Sequence, residues 1–163
     1  MFRRVAESSI EYESLPNLQK LGTDLWRGGQ PYKEGFIKLK DSGIKTVVNL
    51  RDEQSNIKEE QILTRELGLQ FISIPISPFN VPAEHAIEQF FEIMEETDNH
   101  TVFVHCLHGM DRTGCFCALY RMYVHDWSFE DAYAEMLNMG FHEAFENLRQ
   151  VVVRYGRNWG KTR

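Results

Sequence analysis

The stretch Val102-Phe103-Val104-His105-Cys106-Leu107-His108-Gly109-Met110-Asp111-Arg112-Thr113-Gly114 constrains the fold more than any other part of the chain. It reads as a buried β-branched strand, a tight turn with a thiol at its start, and the opening of a helix. A strand that runs through a short turn into a helix points to an α/β architecture. The turn also carries what removal of a phosphate ester requires: a nucleophile, donors for the equatorial oxygens, and a proton source. Five residues separate Cys106 from Arg112, enough for backbone N–H groups and a guanidinium to surround one tetrahedral anion. The planar arginine fork suits two phosphate oxygens at once. A helix opening at Thr113-Gly114 adds oriented donors and partial positive charge at the same point. That field favours the Cys106 thiolate, the form that attacks.

Cysteine, five residues, arginine is a loose pattern by itself. With three Cys and eleven Arg among 163 residues, it arises by accident in about one chain in five of this composition. Cys115 and Arg121 form such an accident, because Phe116-Cys117-Ala118-Leu119-Tyr120 between them lacks glycine and continues an apolar helix. The first instance differs: an apolar strand precedes it, Gly109 permits a tight turn, and Thr113-Gly114 follows the arginine.

His105-Cys106-x5-Arg112-Thr113-Gly114 resembles the phosphate loop of the cysteine-dependent protein tyrosine phosphatase superfamily. Leu25-Trp26-Arg27-Gly28-Gly29-Gln30-Pro31 and Thr46-Val47-Val48-Asn49-Leu50-Arg51 are similar to landmarks of one branch. That branch holds the compact atypical dual-specificity phosphatases and the tyrosine-phosphatase-like inositol phosphate phosphatases, or phytases. The landmarks fit in order across roughly residues 20 to 155. The resemblance implies a dual-specificity-phosphatase-like α/β fold with a central, mostly parallel sheet of four to five strands flanked by helices. It also implies hydrolysis through a phosphocysteine, with no metal and no cofactor. Cys106 is then the nucleophile and Arg112 the phosphate clamp, with Leu107, His108, Gly109, Met110 and Gly114 completing the binding loop. His105 either orients the loop and favours the thiolate or is a buried, hydrogen-bonded histidine. Thr113 resembles the family hydroxyl that donates to sulfur as the thiolate departs, or it caps the helix. His108 faces either substrate or solvent.

The chain departs from the family at the general acid. Many relatives carry an aspartate between the third main strand and the next helix, and here that region, Ile76-Ser77-Pro78-Phe79-Asn80-Val81-Pro82-Ala83-Glu84-His85, has none. Glu84 and His85 are candidates, although both suit an ordinary first helical turn. Asp111 is the stronger one, since it precedes Arg112 as in the myotubularin-like phosphoinositide phosphatases. Its alternative role is to hold a backbone N–H or Arg112 in place.

A chain of 163 residues with 42% hydrophobic content buries one core and reads as a single phosphatase domain over 1–163. No apolar run approaches the roughly 20 residues of a membrane span, and the start lacks the apolar stretch of a secretory signal. The three cysteines at 106, 115 and 117 crowd together, a poor disulfide framework, so a cytoplasmic setting and a monomer are expected. The net charge of −6 disfavours nucleic acid and anionic membranes as partners. A highly phosphorylated ligand needs local cations. Arg27, Lys33 and Arg51 are the candidates, because the resemblance places their segments near the mouth of the loop; each is otherwise an ordinary solvated side chain. An inositol polyphosphate such as phytate is the first-choice substrate and a phosphoprotein the second. A non-catalytic phosphate-binding module and a thiol-based arsenate reductase using Cys115 or Cys117 are the competing classes.

Periodicity and turn residues predict a strand near Leu25–Arg27, a helix over Lys33–Asp41 and a strand over Lys45–Leu50. A charged helix from about Ile57 to Glu66 and a strand over Phe71–Ile76 follow. Ile87, Phe90, Phe91 and Met94 share a helical face before the strand Val102–His105. Beyond the turn a buried helix spans 114–125, Ser128-x-x-Asp131 opens another, and Phe145, Leu148, Val152, Tyr155 and Trp159 stripe the last.

Overall fold

The computed structural model describes residues 13–161, with side chains described as far as Asn158. Five strands, β1 (Gln19–Lys20), β2 (Leu25–Gly28), β3 (Thr46–Asn49), β4 (Gln70–Ser73) and β5 (Val102–His105), form one sheet in the order β1-β2-β5-β3-β4. Only β1 is antiparallel to its neighbour; β2, β5, β3 and β4 run parallel. Among the described residues the helices include α1 (Lys33–Asp41), α2 (Gln54–Glu66), α3 (Glu84–Glu95), α4 (Arg112–Tyr123), α5 (Phe129–Asn138) and α6 (Glu146–Lys161), with a 3₁₀ turn at Thr97–Asn99. The expected α/β class, parallel sheet and strand number all hold.

The last strand in sequence occupies the middle of the sheet. Val104 of β5 stands opposite Arg27 of β2 and Val48 of β3. Because these strands are parallel, their C-terminal ends lie on one edge, which is where ligands bind in open α/β sheets. The turn after β5 therefore emerges between the ends of β2 and β3. That convergence explains why three separated sequence segments look like one site.

Alternation along β5 divides the side chains between two layers. Val102, Val104 and Cys106 join the larger core with Phe90, Phe91 and Met94 of α3, Phe116 and Leu119 of α4, Met136 of α5 and Leu148 and Val152 of α6. Phe103 joins the smaller core beneath α1 and α2, with Phe36, Leu39, Val47 and Leu69. His105 shares that side, its ring edge-on to Phe36 and stacked on Phe103.

Most elements fall where periodicity puts them, and the differences have local causes. α1 and β5 match residue for residue, and Ser128 caps α5 by accepting the Asp131 N–H. α2 starts at Gln54 rather than Ile57, since its first turn, Gln54-Ser55-Asn56, has no apolar member to mark it. β4 is shorter than expected, yet the N–H groups of Ile74 and Ile76 still donate to the carbonyls of Asn49 and Leu50. α4 begins at Arg112 and ends at Tyr123, two residues earlier at each end than expected. β1, only two residues long, carries no periodic signal at all. The Trp159 member of the last stripe lies outside the described side chains.

Phe90 is fully buried and packs edge-on against both Phe116 and Tyr120. Phe90→Ala should cost about 3–5 kcal/mol of stability while leaving turnover per folded molecule unchanged. Chemical denaturation combined with activity at 20 °C checks both halves.

Candidate active site

Backbone contacts with the end of β2 hold the turn after β5. Gly109 has φ +76°, a conformation that suits glycine, and a Cβ there would overlap the Gly28–Gly29 peptide. A Cβ on Gly29 would stand 3.0 Å from the Leu107 carbonyl oxygen. The two backbones touch because neither strand end carries side chains at the crossing. The Gln30 N–H then donates to the Leu107 carbonyl at 2.9 Å, and Nη2 of Arg27 donates to the Gly109 carbonyl at 2.9 Å.

This placement changes the role expected of Arg27. Its side chain is only 1% exposed and lies behind the loop. It is therefore a brace for the loop backbone and not a cation facing substrate at the mouth. Gly114 lies in the first turn of α4, where a Cβ would be in ordinary contact with Met136 and Phe141 and 3.7 Å from Nη2 of Arg27.

Cys106 lies at the floor, 3% exposed, and its sulfur accepts the Gly109 N–H at 3.3 Å. Arg112 opens α4 and extends Nη1 to Oδ1 of Asp52 at 3.1 Å and to the Ile76 carbonyl at 3.0 Å. It thus reaches the segments after β3 and β4. The α4 N-terminus supplies further backbone donors beside the thiol. The Thr113 hydroxyl is buried with no hydrogen-bond partner among the described residues, so it does not cap the helix. Leu107 and His108 are exposed, and Met110 packs against Gly140.

Asp111 is buried, and its carboxylate belongs to a pair that the sequence did not reveal. Oδ1 accepts the His142 backbone N–H at 2.8 Å and lies 3.0 Å from Nδ1 of the same residue. The His142 side chain is 59% exposed and comes from the loop between α5 and α6. Phe145 flanks that ring and packs on Phe79, from the loop after β4; Asn147 donates to the Phe79 carbonyl. Glu84 and His85 are both exposed in the first turn of α3. Glu84 lines a groove of about 540 Å³ between α3 and α6 whose walls include Val81, Ile87, Phe91 and Tyr155 and no residue of the 106–112 loop.

His105 is fully buried, with Nδ1 3.0 Å from the Cys106 carbonyl and Nε2 2.7 Å from Oε2 of Glu60. Glu60 was hidden within a charged helix. Arg51 donates through Nε to Glu53 and through Nη1 to Oε1 of Gln30, and its contact with Glu53 is the main reason that carboxyl is held below its usual range. Lys33 is exposed at the start of α1. Among the described residues no group of three or more His, Cys, Asp or Glu side chains is placed to hold a metal ion. No described helix is long and apolar enough to cross a membrane.

The "DSP-PTPase phosphatase fused to NAD+ Kinase" family matches residues 1–152. The chain belongs to this family. Probable NAD kinase 2 of Oryza sativa subsp. japonica is 28% identical over 123 residues, which cover 72% of this chain and 12% of that protein. Dual specificity protein phosphatase TpbA of Pseudomonas aeruginosa is 26% identical over 125 residues, covering 77% of this chain and 55% of TpbA. Inositol diphosphatase DSP3 of Arabidopsis thaliana is 24% identical over 155 residues, covering 84% and 74%. The chain thus spans a small part of the first relative and about half of the second. In fold, the core catalytic domain of the PP-IP phosphatase SIW14 from S. cerevisiae superposes with a TM-score of 0.75 at 21% identity, covering 89% of this chain and 95% of that one. The crystal structure of TpbA gives 0.72 at 21%, covering 91% and 92%. The family and the dual-specificity-phosphatase fold agree with the resemblance carried by the loop.

The two remaining cysteines differ sharply from Cys106 in setting. Both are wholly buried in α4, and the Cys115 thiol points to the Leu148 carbonyl. Burial pushes the Cys117 thiol up to about 11 and the Cys115 thiol higher still. Below pH 9 both remain protonated and unreactive, so iodoacetamide should modify the native protein at Cys106 alone. Peptide mapping that found Cys115 or Cys117 labelled as fast as Cys106 would contradict this. Arg27→Met, which removes the brace, should lower kcat/KM by roughly ten- to hundredfold, the worth of a charge-assisted hydrogen bond.

Proposed function

We propose that this chain transfers a terminal phosphoryl group to water through a phosphocysteine on Cys106 and that its substrate is a phosphorylated inositol. The observation that carries the chemistry is the placement of Cys106 at the floor of a glycine-crossed turn, with Arg112 at the start of α4 closing that turn. The Cys106 sulfur attacks phosphorus in line. Arg112 and the loop N–H groups hold the equatorial oxygens, where charge accumulates. The bond to the leaving oxygen breaks and that oxygen takes a proton from the Asp111–His142 couple. Water then attacks the phosphorus, returns a proton to the same couple, and releases inorganic phosphate and the thiolate. The Thr113 hydroxyl, buried in the first turn of α4 and without a hydrogen-bond partner among the described residues, donates to the departing sulfur in this reading.

Two features support an inositol phosphate. The Arabidopsis relative that this chain matches over most of its length is named an inositol diphosphatase, and the SIW14 neighbour a PP-IP phosphatase. With Arg27 buried, the accessible cations left from the expected set are Lys33, His108 when protonated, and the partly exposed Arg51. Asp52 and Glu53 lie among them and oppose a dense polyanion. An inositol carrying a diphosphate or few phosphates suits that balance better than phytate, the fully phosphorylated ring.

A protein phosphatase is the second reading, favoured by the exposed Leu107 and Phe79 and by the Phe79–Phe145 contact beside His142, an apolar rim fit for a phenol ring. Phosphate release should be measured in parallel from inositol diphosphates, phytate, a phosphotyrosine peptide and an aryl phosphate. The result expected is the highest kcat/KM on the inositol diphosphates; a peptide preferred to every inositol phosphate would overturn the substrate assignment. Cys106→Ser should abolish turnover on all of them. Asp111→Asn should depress turnover by about 10²-fold or more on alkoxide-leaving substrates and far less on the aryl phosphate. Equal losses on both would make Asp111 a structural residue.

A further inference from the structure

Glu60 is an oddity in the fold. It is 3% exposed, on the face of α2 that meets the sheet, with Thr64 buried one turn on and Leu63 and Leu67 packed into the smaller core. A carboxylate taken from water at such a place costs several kcal/mol unless paired. Even a paired buried ion contributes little net stability compared with apolar residues of the same volume. Stability alone therefore gives no account of an acid here, and its partners show what it does.

The protons around it can be counted. The Cys106 carbonyl is an acceptor only, so Nδ1 of His105, 3.0 Å away, must carry a hydrogen. Nε2 lies 2.7 Å from Oε2 of Glu60, so one further proton sits on that line. The other carboxylate oxygen, Oε1, accepts Nε2–H of Gln30 at 2.7 Å. Gln30 is itself fixed, its Oε1 accepting from Nη1 of Arg51 and Nδ2 of Asn56, both at 3.0 Å. With every partner assigned, one proton is shared between Nε2 of His105 and Oε2 of Glu60, one residue before the thiol.

We propose that Glu60 is a positioning residue for the nucleophile: its carboxylate keeps His105 charged and aimed at the Cys106 carbonyl, so that positive charge stands beneath the loop and favours the thiolate. The proposal rests on the reading of Cys106 as the attacking group. The imidazolium donates a charged hydrogen bond to that carbonyl, which polarises the peptide leading into the loop and turns its N–H end toward the anion site. Phe36 and Phe103 flank the ring and exclude water, which keeps the field strong. The other charged groups around the loop are Arg27 from β2, Arg51 and Asp52 after β3, His108 and Asp111 in the loop, Arg112 at the start of α4 and His142 after α5. None of them is hydrogen-bonded to the imidazole of His105 among the described residues.

Glu60→Gln tests this, because the amide keeps the shape. Its NH₂ group donates to Nε2, its oxygen still accepts from Gln30, and only the shared proton and the charge are lost. Iodoacetamide inactivation should be followed from pH 5.5 to 9 in the wild type and Glu60→Gln, with Cys106→Ser as the control for labelling site. The variant is expected to alkylate about tenfold more slowly at pH 6, the equivalent of one pH unit in thiolate population, and to match the wild type at pH 9. Its kcat/KM should fall by the same factor at pH 6 while its melting temperature stays within a few degrees.

Equal alkylation of the two proteins at every pH would overturn the proposal, and so would a loss that is the same at pH 6 and pH 9, which is what a merely structural role produces. Should Glu60→Gln not fold, ¹⁵N NMR of histidine-labelled wild type decides: both ring nitrogens of His105 protonated at pH 7 supports the proposal, and an unprotonated Nε2 overturns it. A wild type that shows no preferential labelling of Cys106 at pH 6 would instead remove the nucleophile reading.

Discussion

Close contact between two backbones, at Gly28-Gly29 and Gly109, governs the geometry of the whole site. A loop that must surround a phosphate has its N–H groups turned inward, and something else has to fix its outer side. Here the end of β2 does so, through the Gln30 N–H on Leu107 and the Arg27 guanidinium on Gly109. A side chain at the crossing would push the loop off its support. The sheet order makes the crossing possible, because β5 lies between β2 and β3 and all three end on one edge. Pairing, glycine and brace therefore form one structural unit.

The strand-turn-helix core of the site was legible because each part has a short-range signal: β-branched alternation for β5, Gly109 for the turn, and Arg112-Thr113-Gly114 for the start of α4. The Trp26-Arg27-Gly28-Gly29-Gln30-Pro31 landmark was legible as a motif and not as a role. Nothing local tells whether an arginine near a phosphate loop faces the ligand or supports the loop, and the structure puts Arg27 underneath. Glu60 was hidden for a different reason. In Lys58-Glu59-Glu60-Gln61 it looks like one more solvated charge, and only its phase with Ile57, Leu63, Thr64 and Leu67 marks it as facing inward. His142 has no signal at all, since its pairing with Asp111 spans 31 residues and depends on how α5 and α6 pack.

Charge around the loop is arranged in two layers. Beneath it are buried groups, Arg27 on the Gly109 carbonyl and the Glu60–His105 pair. At the end of the loop, Arg112 pairs with Asp52, and Asp111 with the exposed His142. On the proposed reading, a site so balanced suits one phosphoryl group held closely, with modest attraction for further phosphates. The overall charge of −6 agrees with that reading.

The proposed chemistry turns on a covalent bond between Cys106 and phosphorus. Rapid acid quench during turnover, followed by mass spectrometry of the peptide that spans the loop, measures that bond. A phosphoryl group should appear on Cys106 before product and be absent in Cys106→Ser. Turnover with no phosphoryl group on Cys106, or with one on His105 or His108, would contradict that chemistry.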